Sequence, residues 1–204
     1  VSMSHRAKSI AALQSLKSPW VIAHRGFSGQ FPENTLVAFE AAVGGRADMI
    51  ELDLRLSRDR EPVVIHDLTL ERTTNGHGSV VDLDLAELRE LDCGCWFDPV
   101  FQKARLPSLK EVLELMSDRI ALNLEIKSDV FEARAGNDGI ESLVCELVYE
   151  YGLQDQVVVS SFEHLSLSRV RNHRKPLPIA PLLNRQASLD EIISLVHDLG
   201  AFSF

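Results

Sequence analysis

No stretch of the 204-residue chain approaches the roughly 18 to 20 consecutive apolar residues of a membrane-spanning helix. A soluble protein is the expectation. Positive charge is short: 21 lysines and arginines stand against 30 aspartates and glutamates, a formal net charge of -9. That balance supplies no basic face for nucleic acid or an anionic membrane, so the expected partner is a small molecule. Cysteine is scarce. Cys93, Cys95 and Cys145 show no metal-binding spacing, and a Cys-x-Cys pair is too tight for most structural disulfides, which points to a reducing compartment. The opening stretch, Val1 to Lys17, has no apolar core followed by a small-residue cleavage site, so the chain as given is expected in the cytoplasm. Also missing is a glycine-rich fingerprint after the first strand, which argues against a dinucleotide-binding sheet.

What is present is ordinary globular material, 45% hydrophobic and 25% charged, long enough for one sizeable core and short for two. One domain over residues 1–204 is the default. Ile10, Leu13 and Leu16 at helical spacing predict a short N-terminal helix that covers the bottom of the fold. A strand, Trp20 to Ala23, runs into His24-Arg25-Gly26. Asn34 or Thr35 then caps a helix from Leu36 to Val43, stopped at Gly44-Gly45. The next strand, Met49 to Leu56, alternates: Glu51, Asp53 and Arg55 share one face, Leu52, Leu54 and Leu56 the other. Pro62 to Ile65 is continuously apolar, which suggests a parallel strand buried on both faces. The pattern loosens from Asp67 to Pro107, around a short helix at Leu85 to Leu91, and a connection of this length reads as functional. Ser108 with Glu111 opens a helix to Met116 by a capping box. Strand and helix then alternate: Ile120 to Ile126, Ile140 to Tyr151, Val157 to Ser161, Leu165 to Asn172, Ile179 to Leu183, and a helix capped by Ser188 with Glu191 through Leu199. A seventh strand starts at Ala201.

Repeated βα units of this length and number indicate a TIM (β/α)8 barrel, with an open doubly wound sheet as the alternative. Such a barrel needs eight strands and about 250 residues. The fold is therefore expected to be truncated at its C-terminal end, with strands seven and eight incomplete or missing. In a barrel the C-terminal ends of the strands line one mouth, and four of these runs end in chemistry. Glu51, Asp53 and Glu125 are oxygen ligands suited to a hard divalent cation such as Mg2+ or Ca2+, and less to zinc. His24 and His66 read as a general acid and base, as ligands or as packed core histidines. Arg25 and Lys127 offer charge to phosphate oxygens, Arg25 as a fork and Lys127 as a point charge; an ion pair that holds Glu125 is an equal reading of Lys127. His5, His77, His164, His173 and His197 have no comparable neighbours and read as surface residues. Trp96 and Phe97 either line a substrate pocket or pack a loop onto the barrel. Glu33-Asn34-Thr35 reads as a cap first.

The runs Ala23-His24-Arg25-Gly26, Pro32-Glu33-Asn34-Thr35, Ile50-Glu51-Leu52-Asp53, Val64-Ile65-His66-Asp67 and Leu124-Glu125-Ile126-Lys127 resemble the glycerophosphodiester phosphodiesterases. The resemblance continues through Leu70-Glu71-Arg72-Thr73-Thr74, Gly76-His77-Gly78, Arg105-Leu106-Pro107-Ser108-Leu109 and Ser160-Ser161-Phe162, and so covers most of Val21 to Leu183. It implies a TIM barrel with a small insertion after strand three, here about residues 67–107. It implies a divalent metal, Mg2+ or Ca2+ with Mn2+ as a further candidate, on Glu51, Asp53 and Glu125. It also implies His24 and His66 as acid and base on a glycerophosphodiester, with Arg25 on the phosphate, releasing an alcohol and sn-glycerol 3-phosphate. The family's aromatic-rich C-terminal segment has no counterpart in the chain. Two other expectations stand beside this one: a lysophospholipase D acting on lysolipids, and a non-catalytic barrel that binds a phosphorylated ligand.

Overall fold

The computed structural model describes residues 9–15, 19–134, 136, 138–183 and 188–201. Among them are seven α-helices: α1 (Ile10–Gln14), α2 (Leu36–Gly44), α3 (Leu85–Leu88), α4 (Leu109–Met116), α5 (Ile140–Glu150), α6 (His164–Asn172) and α7 (Leu189–Leu199). Six strands accompany them: β1 (Ile22–His24), β2 (Met49–Leu56), β3 (Pro62–Val64), β4 (Ala121–Ile126), β5 (Val157–Ser161) and β6 (Ile179–Pro181). All but β3 run parallel, in the order β1-β2-β4-β5-β6. A doubly wound sheet reverses its strand order at a switch point, whereas this order follows the chain throughout, as in the wall of a βα barrel.

Alternation along each strand sorts the two faces. Ile50, Leu52 and Leu54 of β2, Leu122, Leu124 and Ile126 of β4, and Val157 and Val159 of β5 pack outward. Their partners are Phe39 and Ala42 of α2, Leu113 and Met116 of α4, and Val144 and Val148 of α5. Truncating one of the fully buried members, Leu113 for example, to Ala removes about 2 to 5 kcal/mol through lost transfer energy and a cavity. The inner face is apolar only at the bottom, where Met49, Ala121, Val158 and Ala180 meet Ile10 and Leu13. Helix α1 is thus the bottom cover expected from its spacing; Leu16 lies outside the described residues. Above this layer the inner face turns polar, and the site lies there.

The expected helix caps form. Thr35 Oγ1 accepts from the Ala38 N–H, and Ser108 and Glu111 make the reciprocal box at α4. Helix α7 forms as expected, while the side chain of Glu191 lies outside the described residues; of the seventh strand expected from Ala201 onward only Ala201 is described, and it lies in no strand.

Strand three corrects the expectation. β3 pairs antiparallel with β2, Leu54 opposite Val64 and Leu56 opposite Pro62, and is not a wall strand of the parallel barrel. Only the turn at residues 57–61 joins the two strands, and a parallel crossover needs about a dozen residues. Its unbroken apolar run has a different cause. Val64 faces the main core, whereas Val63 and Ile65 face a second core formed by the following segment, with Leu70, Val80, Leu88, Cys93 and Leu106. Burial of both faces under an insertion looks, in sequence, like burial inside a parallel sheet. The surface assignment also fails for two histidines. His164 Nε2 lies 3.0 Å from the Leu182 carbonyl oxygen, and His173 is partly buried, with Nδ1 accepting from the Lys175 N–H.

Candidate active site

The inward face of β2 carries Glu51 and Asp53, and Glu125 stands opposite Asp53 in the β2-β4 register. All three carboxylates are buried, and ligand oxygens from each lie within 4.8 Å of one another. Lys127 Nζ stands 2.7 Å from Glu125 Oε1 and 3.3 Å from Asp53 Oδ1. Burial, and then the charge of Asp53, push the Glu51 carboxyl up to about 8, against the hydrogen bond its Oε2 accepts from the Arg25 N–H at 3.0 Å. Its other oxygen, Oε1, is buried without a hydrogen-bond partner. Oxygens packed this closely, with one unsatisfied, form an all-oxygen donor set that suits a hard divalent cation.

The loop after β1 is shaped by backbone conformation. Arg25 (φ 58°) and Gly26 (φ 82°) are left-handed, and a Cβ on Gly26 would come within 2.8 to 2.9 Å of Ala38 and Phe39. Only glycine lets the loop press onto α2 there. This turn sends His24 and Arg25 to the acids. His24 Nε2 lies 3.8 Å from Glu51 Oε2, and its pKa falls below the usual histidine value of 6.5 through burial and then the charge of Arg25. Arg25 Nη1 donates to Glu33 Oε1 at 2.8 Å, and its Nε approaches Asp53 Oδ2 to 3.3 Å, near enough for an ion pair without the alignment of a hydrogen bond.

His66 arrives from the opposite direction. Because β3 runs antiparallel, Ile65 N–H donates to the Asp53 carbonyl oxygen and the next residue is carried back toward the acids. Its ring is held by Asp67, whose Oδ1 lies 2.6 Å from His66 Nδ1. Its carbonyl oxygen accepts from Arg55 at Nε (2.9 Å) and Nη2 (2.8 Å), and the same guanidinium pairs with Asp129. Arg72 donates to both Asp67 and Glu33, which joins the His66 segment to Arg25.

Six predicted residues, His24, Arg25, Glu51, Asp53, Glu125 and Lys127, therefore meet directly, and His66 joins them through Asp67, Arg72 and Glu33. Sequence reasoning missed the supporting set: Glu33, Asn34, Arg55, Asp67 and Arg72. Glu33-Asn34-Thr35 is more than a cap, since Thr35 alone caps α2 while Asn34 donates to Asp53 and Glu33 holds two arginines. Arg55 lay in view on the charged face of β2, and Asp67 beside a chosen histidine. Trp96 and Phe97 pack a loop: Trp96 Nε1 donates to the Cys93 carbonyl, and edge-to-face and tilted ring contacts run from Trp96 through Phe97 and Phe101 to Phe31.

Residues 24–198 match the model of the glycerophosphoryl diester phosphodiesterase family. A glycerophosphodiester phosphodiesterase of Caldanaerobacter subterraneus subsp. tengcongensis is 44% identical over 79% of this chain and 65% of its own length. One of Bacillus subtilis is 35% identical over 90% of this chain and 69% of its own. The structure superposes on that of a phosphodiesterase of Oleispira antarctica in complex with the product sn-glycerol-3-phosphate, with a TM-score of 0.79, 33% identity, and coverage of 90% of this chain and 72% of the other. The chain spans just under two thirds of the length of the two relatives that share 44% identity with it. With most of its length matched and the matched segment carrying the acids, both histidines and the arginine of the site, the chain belongs to the glycerophosphoryl diester phosphodiesterase family.

Proposed function

We propose that this site hydrolyses glycerophosphodiesters to an alcohol and sn-glycerol 3-phosphate. The observation that carries the reading is the convergence of Glu51, Asp53 and Glu125, with His24 and Arg25 delivered to them by one turn. Glu51, Asp53 and Glu125 would hold a divalent cation, Mg2+ or Ca2+ or else Mn2+, which when bound neutralises charge on the phosphate oxygens. Arg25 and Lys127 hold the phosphate; Arg25 is oriented for this by Glu33, and Lys127 balances the acids until substrate enters.

His24, kept below the ordinary histidine range, is neutral at neutral pH and serves as the base. It takes the proton of a glycerol hydroxyl, whose oxygen attacks phosphorus as the bond to the alcohol oxygen breaks. His66 gives its proton to that departing oxygen. The product of this step is a cyclic glycerol phosphate, and an intramolecular attack of this kind gains from proximity. Water then opens the ring with the two histidines in exchanged roles. The Oleispira protein, crystallised with sn-glycerol-3-phosphate, supports the product assignment.

Glycerophosphocholine incubated with the protein tests the reading. Release of choline and glycerol 3-phosphate is expected with Mg2+, Mn2+ or Ca2+, and loss of both with chelator. Full turnover by exhaustively chelated protein would remove Glu51, Asp53 and Glu125 from the mechanism.

A further inference from the structure

Arg72 stands at the start of the insertion, and nothing in the reaction just described uses it. Its guanidinium makes four hydrogen bonds to two carboxylates: Nη1 and Nη2 to Glu33 at 2.9 and 2.8 Å, and Nε and Nη2 to Asp67 at 2.5 and 3.0 Å. Each carboxylate shares an oxygen with a residue of the site. Glu33 Oε1 also accepts from Arg25 Nη1 at 2.8 Å, and Asp67 Oδ1 also contacts His66 Nδ1 at 2.6 Å. Arg72 is thus a side-chain link between a phosphate-holding arginine on the loop after β1 and a histidine on the segment after β3. No strand pairing joins these two segments, because β1 and β3 each pair with β2 and not with each other.

The Arg72 side chain is 43% exposed, whereas its partners Glu33 and Asp67 are 14% and 26% exposed, and a bidentate network of this kind contributes more to stability than an isolated surface pair does. A fork whose two carboxylates each share an oxygen with a residue of the site is not accounted for by stability alone. It is well explained as a device for spacing, since a planar guanidinium fixes the distance and angle between two carboxylates in a way that a lysine point charge does not.

We propose that Arg72 is a positioning residue that sets the separation of Arg25 and His66 across the bound phosphodiester. The proposal rests on the diesterase reading above. A residue in this role acts on the chemical step more than on binding, because a displacement of about 1 Å in a reacting group reduces rate on the order of a hundredfold.

The test uses cation-loaded protein, glycerophosphocholine and the variants Arg72→Ala, Arg72→Lys and Glu33→Gln/Asp67→Asn. In Arg72→Ala, kcat is expected to fall about ten to a hundredfold with KM little changed and the protein still folded at the assay temperature. Arg72→Lys should recover only a minor part, and millimolar guanidinium should recover more in the alanine variant. In the Glu33→Gln/Asp67→Asn background, where the fork has lost both charged partners, adding Arg72→Ala should lower kcat no further. Wild-type kcat in Arg72→Ala would overturn the proposal, as would an undiminished loss in the doubly substituted background. A readout without turnover separates this proposal from the one it rests on. The His66 ring signals in NMR should broaden or average in Arg72→Ala while those of His24 persist. If the wild-type protein turns over no diester, the functional reading falls, and unchanged His66 signals in Arg72→Ala then overturn the positioning role as well.

Discussion

Asn34 donates from Nδ2 to Asp53 Oδ2 across 2.8 Å, with both side chains buried. The same asparagine lies at φ 55°, a left-handed conformation that Asn tolerates better than most residues. One residue therefore supplies both a turn and the orientation of an acid. Asn34→Gly keeps the conformation and loses only the side chain's two hydrogen bonds to Asp53, while Asn34→Ala loses the bonds and the unstrained turn. Denaturant titration is expected to show Asn34→Ala as the less stable variant, with a deficit against wild type of about 1 to 3 kcal/mol. Equal stability of the two would mean that the left-handed turn carries no strain for alanine.

On the proposed assignment of Glu51 as a cation ligand, protons and cations should compete for its carboxylate. Its carboxyl is raised from the ordinary 4.5 to about 8 in the cation-free fold, so between those values the folded protein holds a proton that the unfolded chain has released. Stability of the cation-free protein should therefore fall as pH rises through this window. Cation binding must expel the proton, so the apparent Mg2+ or Mn2+ affinity should rise, by up to about tenfold per pH unit, and level off near the top of the window. Calorimetry in buffers of different ionisation enthalpy reads the released proton directly. An affinity that does not change with pH would show that Glu51 is already ionised in the empty site.

Replacement of either His24 or His66 by Ala should lower kcat by roughly a hundred to ten thousandfold, the usual contribution of a general acid or base. Binding of glycerol 3-phosphate should persist, because the acids and Arg25 remain. Turnover near wild type in either variant would return that histidine to a packing role.

Acid stability should report on Asp67. Arg72, opposed by burial and helped by His66, holds its carboxyl well below the ordinary value of 3.8. A depressed carboxyl contributes stability above its ordinary value and loses it as pH falls toward the folded one. Urea midpoints measured from about pH 5 to about pH 2 should thus decline less steeply in Asp67→Asn than in wild type. Parallel declines would mean that the Asp67 and Arg72 contacts do not persist in solution.

The sequence by itself determined the βα pattern, the alternation that puts Glu51 and Asp53 on one face of β2, a cap of α2 at Asn34 or Thr35, the cap at Ser108, and the cover formed by Ile10 and Leu13. These are local or periodic properties, written in residue spacing. It also marked the strand ends whose polar residues the fold brings together. Only the tertiary structure decided the direction of β3, because an apolar run buried under an insertion has the same spacing as one buried in a parallel sheet. The direction of that strand brings His66 back toward Asp53. The supporting set was hidden for a related reason: Glu33 and Arg72 lie 39 positions apart, and Arg55 and Asp129 lie 74 apart. No local pattern couples such pairs, and their meeting follows from the packing of the loop after β1, the segment after β3 and the wall between them.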